Sequence, residues 1–330
     1  VRMWDLMGRP IALDWTDRTA RFTVPSDFVL IEGDVTIDPG TQLAMRPWLD
    51  GRVRVVAQTA REAAAEAHLR VNRDGLDAPL ADRQVMLMPG VNLYDVDLGG
   101  VRAGMRIPLR AELSWPDGRV EQAQTVEYNP AFQVTPEQAD RLERPEGVET
   151  YTLGPDEYVV WALNRHLEED DFVPYAGAAD ASAELAWGWT DQHLVLWIEM
   201  RDDVFTPSHP RSPWLGDGPQ VSVANESGEG QVPFVEFELG LGEDGPIAFA
   251  LEGPHYIPRL KAGRREDRTL FRALLSFEEL GIEPAPGVVV RASAILNEND
   301  GRGREGYLAW GGGIADEKNP ELFKSLLLVE

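Results

Sequence analysis

The stretch VEFELGL, residues 235–241, puts Val235, Phe237, Leu239 and Leu241 on one side and Glu236 and Glu238 on the other. A period of two is the period of a pleated strand, whose successive side chains point to opposite faces. HLVLWIEM, residues 193–200, repeats the pattern with Leu194, Leu196, Ile198 and Met200. Both runs are short and bounded by turn residues, as half-buried antiparallel strands are. The 31 glycines and 24 prolines punctuate the chain at short intervals, and long helical periodicity is rare. The fold class read from this is all-β, built of antiparallel β-sandwiches.

At 330 residues the chain exceeds one small core, so at least two domains are expected. Residues 1–37 read as short strands, too few to close a core alone. Residues 38–133 suit an immunoglobulin-like or fibronectin-like sandwich, with a hairpin turning at Pro116-Asp117-Gly118. Within it REAAAEAHLR (61–70) has helical composition and reads as a strand start or a helical turn. Residues 134–149 are polar and read as a linker with room for one helical turn. The remainder, 150–330, is a third unit. It contains one local helix signal, with Ser276 as N-cap, Glu279 three residues on and Gly281 as stop.

Charge narrows the function. With 56 acidic against 31 basic residues the formal net charge is −25, which repels phosphate backbones and anionic lipid. Nucleic acid and membrane are therefore not expected partners, whereas neutral ligands such as sugars are compatible. The absence of cysteine removes disulfides, thiol nucleophiles and thiolate metal sites together. No signal-peptide pattern is read, and the start at Val1 is expected to be processed or cut from something longer.

Candidate chemistry is sparse. Asp202-Asp203, after a strand, offers oxygen ligands for a structural calcium, although a solvated strand end is the commoner meaning of such a pair. Asn297-Glu298-Asn299-Asp300-Gly301 lacks the spacing and closing glutamate of an EF-hand loop. The five histidines have no metal spacing, and Gly311-Gly312-Gly313 is followed by no Lys-Ser or Lys-Thr. No nucleophile elbow is present. Tryptophan is more informative. Of ten, Trp187, Trp189, Trp214 and Trp310 fall at strand ends or in loops. An indole offers a flat apolar face against the C–H face of a pyranose, leaving the sugar hydroxyls to polar side chains at the rim. Trp214, between Pro213 and Gly216, is the best placed; Trp187 and Trp197 read as core.

Over residues 150–330 the chain resembles a family 9 carbohydrate-binding module of the DOMON-like sandwich type. The segments that carry the likeness, in order, are DASAELAWGWTDQHLVLWIEMRDDVF, PWLGDGPQVSV, LLSFEELG and LNENDGRGREGYLAWGGGIADEKNPELFKSLLL. The resemblance implies a jelly-roll sandwich holding a terminal saccharide between two tryptophans. It places Trp214 as the first stacking ring and Gln220 where the family has a hydroxyl-binding glutamate. Asn297, Asn299 and Arg304 would be further partners at the rim. Trp310 joins the candidate carbohydrate-binding residues, although it matches a position that is structural in the family. The second stacking ring would fall near Glu317 or Lys318, where this chain has no aromatic.

Residues in the segment DLMGRPIALDWTDRTARFTVPSDFVLIEG resemble the β-rich tail that follows the catalytic barrel in some bacterial glycoside hydrolases. The resemblances together imply a non-catalytic carbohydrate-binding region of a secreted, periplasmic or cell-surface bacterial enzyme. Its partners would be a saccharide and an upstream catalytic domain of the same polypeptide. No cofactor is expected beyond a structural calcium. The competing expectations are a purely structural interdomain sandwich, or a segment that contributes to a glycoside hydrolase active site. A haem-binding DOMON-like role would need axial ligands on one face, and His193 and Met200 lie on opposite faces of their strand.

Overall fold

The computed structural model describes residues 41–48, 51–59, 61–102, 104–116, 118–161, 175–209, 213–224, 234–253, 256–301, 303–315 and 318–330. Before residue 41 it describes four three-residue strands: β1 (Arg2–Trp4), β2 (Asp14–Thr16), β3 (Thr19–Arg21) and β4 (Leu30–Glu32). They pair as β1 with β4 and β2 with β3.

The next unit is two antiparallel sheets over one core. Strands β5 (Thr41–Trp48), β6 (Arg52–Thr59) and β9 (Gly90–Asp97) form one sheet. Strands β7 (Ala65–Arg73), β8 (Ala81–Leu87), β10 (Arg106–Trp115) and β11 (Gly118–Glu127) form the other, in the order β11-β10-β7-β8. Period-two burial explains the pairing: Val53, Val55 and Ala57 meet Leu69, Val71, Leu109, Ala111 and Leu113 in the middle. Alternation also settles REAAAEAHLR. Ala67, Leu69 and Val71 all face the core, so a strand forms from Ala65 despite the alanine-rich composition.

The second unit begins earlier than the sequence suggests. Strand β12 (Asn129–Gln133) pairs in parallel with β24 (Lys324–Val329) and with β15 (Ala181–Trp189), tying it to the C-terminal sheet. That sheet also contains β13 (Tyr151–Leu153), β14 (Tyr158–Val160), β16 (His193–Asp202), β17 (Gly218–Ala224) and β18 (Phe234–Gly242). Completing it are β19 (Gly245–Glu252), β20 (Arg259–Arg265), β21 (Arg268–Ser276), β22 (Val289–Glu298) and β23 (Gly306–Trp310).

The main ladder runs β19-β18-β17-β22-β24-β12-β15-β16-β21-β20. It folds over so that Leu194, Leu196, Ile198 and Met200 of β16 share a core with Val221, Val223, Phe237, Ala294 and Leu296. Trp187 is in this core and Trp197 in a smaller cluster on the outer side of β16, both fully buried. The smaller cluster forms where α1 (Pro136–Ala139) and its flanks, with Val134, Ala139 and Val148, pack on that side. Helix α2 (Phe277–Leu280) starts at Ser276, whose hydroxyl accepts from the Glu279 N–H, and stops at Gly281 with φ 67°.

Phe237 has no exposed surface and lies at the centre of this core. Truncating it to alanine is expected to cost about 3–5 kcal/mol of unfolding free energy. Chemical denaturation of Phe237→Ala measures this, and a loss below about 1 kcal/mol would place the core elsewhere.

Candidate functional site

Strands β18, β17, β22 and β23 lie side by side, and each has two buried faces. Inward, Phe237, Val221, Ala294 and Leu308 fill the core. On the opposite face the alternate positions are Glu236 and Glu238, Gln220 and Ser222, Ser293, Ile295 and Asn297, and Tyr307. Cross-strand register pairs Gln220 with Glu238 and Ser222 with Glu236, and sets Asn297 opposite Tyr307. Glu236, Glu238, Ser222 and Asn297 are all at 0% exposure. This second face is therefore a buried polar layer.

Its hydrogen bonds are specific. Lys318 Nζ donates to both oxygens of Glu236, at 2.5 and 2.7 Å, and Ser222 Oγ donates to Oε2 at 3.2 Å. Asn297 Nδ2 donates to Glu238 Oε1 at 3.3 Å. Glu238 Oε2 and Asn297 Oδ1 find no hydrogen-bond partner among the described residues. Burial pushes the Glu238 carboxyl well above the ordinary range, against the opposing pull of the nearby Arg304 charge. The Arg304 guanidinium lies over the ring of Trp161 at 4.0 Å and that of Tyr307 at 5.2 Å. Beside the polar groups is an apolar cluster of Ile295, Tyr307, Ile314 and Phe323, with Trp161 and Phe234 against it.

Of the residues expected from sequence, Gln220, Asn297 and Arg304 meet at this face. Trp214 is 40% exposed on a short 3₁₀ turn, Pro213–Leu215, just before β17. That turn is tied to the β22–β23 hairpin by Asn299, whose Nδ2 donates to the Leu215 carbonyl. Asn299 Oδ1 accepts from the N–H groups of Gly301 and Gly303 at 2.7 and 3.0 Å. Asn299 is thus a fastener of the turn, its amide committed to backbone, rather than a rim group.

Trp310 requires a correction. It is 1% exposed and packs on Trp187 at 5.7 Å and Tyr151 at 5.3 Å between ring centroids. Its place in β23 has core parity with Leu308, so it cannot stack on a ligand at the surface. Sequence reading missed Ser222, Glu236, Glu238, Trp161 and Lys318. The alternation of VEFELGL did place both glutamates off the core face; nothing local marked that outer face as buried as well.

A second feature occupies the sandwich end beside Asn299. Carboxylate oxygens of Asp180, Asp203 and Asp300 lie within 4.8 Å of one another, as do those of Glu298, Asp300 and Glu305. Burial and then the charges of Glu305, Asp300 and Asp180 push Glu298 up to about 8; burial and neighbouring aspartates push Asp300 up to about 6. Asp202 shares a hydrogen bond with Asp217, and its charge also bears on Asp300. Burial and the Asp202 charge raise Asp217 well above its ordinary value. Asp217 Oδ1 accepts the Asn299 N–H at 2.8 Å. Several oxygens at mutual repulsion distance are the donor set a hard cation such as calcium takes, and Asp203 belongs to it.

No protein-family model matches the chain, and no curated protein does. Among solved structures, it is similar to a family 9 carbohydrate-binding module from Caldicellulosiruptor kristjanssonii in complex with cellotriose. The identity is 15% over 60% of this chain and 92% of that one, with a TM-score of 0.45. A family 9 carbohydrate-binding module from the same organism in complex with glucose gives 15% identity over 61% of this chain and 95% of that one, with a TM-score of 0.47. The chemistry of the site is that of the chain's own residues.

The acidic cluster gives a signed prediction. Glu298 titrates near 8 in the fold against 4.5 ordinarily, so between those values the folded chain holds a proton that the unfolded chain has lost. Stability contributed by this group therefore falls as pH rises through that window. Carboxylates held low by ion pairs, such as Asp95 beside Arg54, act below it. Melting temperature is expected to be higher at pH 5 than at pH 8, and added Ca²⁺ to raise it most at pH 8. A melting temperature that climbs with pH in chelator, or ignores Ca²⁺, contradicts this reading of the cluster.

Proposed function

We propose that the C-terminal sandwich is a non-catalytic carbohydrate-binding unit whose ligand reaches the polar face of β18, β17 and β22. The observation that carries this is the pair of unpartnered polar atoms, Glu238 Oε2 and Asn297 Oδ1, on a layer the hydrophobic core does not need. A buried polar group left without a partner costs about 1–3 kcal/mol, and a polyhydroxylated ligand removes that cost. Gln220 and Ser222 extend the row with one amide and one hydroxyl, groups suited to sugar hydroxyls.

Trp214 supplies an exposed ring at the end of the sheet where Gly218 faces Asn297, and is the proposed stacking platform. The unit before it, with sheet orders β5-β6-β9 and β11-β10-β7-β8, is read as an immunoglobulin-like or fibronectin-like spacer. The whole is proposed to serve a secreted, periplasmic or cell-surface bacterial polysaccharide-degrading enzyme, with a catalytic domain upstream in the same polypeptide. A purely structural interdomain role is the second reading, and the deep burial of the polar face favours it.

Titration calorimetry with a panel of monosaccharides and oligosaccharides, glucose and cellotriose included, separates the two. Binding of at least one sugar is expected, weakened about tenfold or more by Asn297→Ala or Trp214→Ala. Because Trp214 is 40% exposed, its removal is expected to cost no more than about 0.5 kcal/mol of fold stability. No heat with any sugar would leave the structural role standing.

A further inference from the structure

Lys318 stands on the polar face where a buried glutamate would otherwise meet the ligand. Both oxygens of Glu236 already accept hydrogen bonds, from Lys318 Nζ at 2.5 and 2.7 Å and from Ser222 Oγ at 3.2 Å. What this end of the face turns toward solvent is the lysine side chain, 43% exposed, while the glutamate beneath is at 0%. An ammonium has three N–H donors and no acceptor. We propose that Lys318 makes the site selective for a saccharide carrying a carboxylate, a uronic acid, over the corresponding neutral sugar. This deepens the saccharide reading and rests on it.

Charge and geometry agree. Lys318 balances Glu236, and Arg304 places a second positive charge close enough to Glu238 to oppose the upward shift that burial imposes there. The two carboxylates of the face are therefore each met by a positive charge although the chain as a whole is acidic. At physiological salt the Debye length is about 8 Å, so the distant negative charges are screened while a contact ion pair is not. Glu236 and Glu238 share one face two residues apart, which sets them about 7 Å apart along the strand, a span comparable to a substituted pyranose ring. At the Glu238 end, Asn297 Oδ1 and Glu238 Oε2 lack partners among the described residues and suit hydroxyls. At the Glu236 end, Lys318 suits a carboxylate. A uronic acid ring carries both, and the charge-assisted bond is about twice as strong as a neutral one.

Matched pairs test this directly: glucuronate against glucose and galacturonate against galactose, by calorimetry near neutral pH. The unmodified protein is expected to bind at least one acid about tenfold or more tightly than its neutral counterpart. Lys318→Met alone would strand the buried Glu236, so the informative variant is Lys318→Met with Glu236→Gln, which removes both charges together. In it the acid-to-neutral ratio is expected to fall toward one. Equal affinity for both members of each pair in the unmodified protein overturns the role of Lys318 and leaves saccharide binding intact. A preference that survives in the double variant does the same. No binding of any of the four sugars overturns the saccharide reading and this inference with it. Should the double variant fail to fold, the ratio in the unmodified protein is measured from about 0.05 to about 0.5 M NaCl. A falling ratio supports the ionic contact, and a constant one refutes it.

Discussion

Strands β17, β18 and β22 are buried on both faces, and only one of those faces is apolar. Everything distinctive about the C-terminal unit follows from that constraint. A carboxylate at 0% exposure must find compensating charge or stay protonated. Glu236 does the first through Lys318, and Glu238 leans toward the second. Breaking a buried pair by removing one partner costs about 3–5 kcal/mol. Exposed pairs such as Arg201–Asp267, at 50% and 41% exposure, are worth about 0–1 kcal/mol. The ion pair of Lys318 with Glu236 therefore matters more to this unit than its surface ion pairs do.

The same constraint explains what could be read from the residues in order. Period-two alternation in HLVLWIEM and VEFELGL located strands and their core faces, because apolar positions repeat at the pleat. The Ser276–Gly281 cap signals located α2, because capping is local chemistry. Gln220 was expected from the resemblance of PWLGDGPQVSV, and Asn297 and Arg304 from that of the closing segment. Glu236 and Glu238 were visible as off-core positions, but their burial depends on neighbours distant in the chain. Lys318 reaches Glu236 across 82 positions, and Arg304 meets Trp161 over a still longer separation. Trp310 lies at a strand end, but its parity in β23 turns the ring into the core, which its position in the sequence alone did not show. Strand β12 was assigned to the wrong unit because its partners, β24 and β15, lie far along the chain.

Neither sandwich is independent of the other. Val289 and Leu327 of the C-terminal sheet enter the core of the preceding unit. The passage from one unit to the next is therefore a packed junction. The closing hairpin serves the site. Asn299 fastens the turn that carries Trp214, and the strands on either side supply Asn297 and Tyr307.

The central claim is that ligand recognition occurs on the outer face of β17, β18 and β22. Side-chain amide resonances of Gln220 and Asn297, followed by NMR during titration with a bound saccharide, test it most directly. The account predicts that these two amides shift together and saturate with the ligand. Shifts confined to other amides, with Gln220 and Asn297 unmoved at saturation, would contradict it.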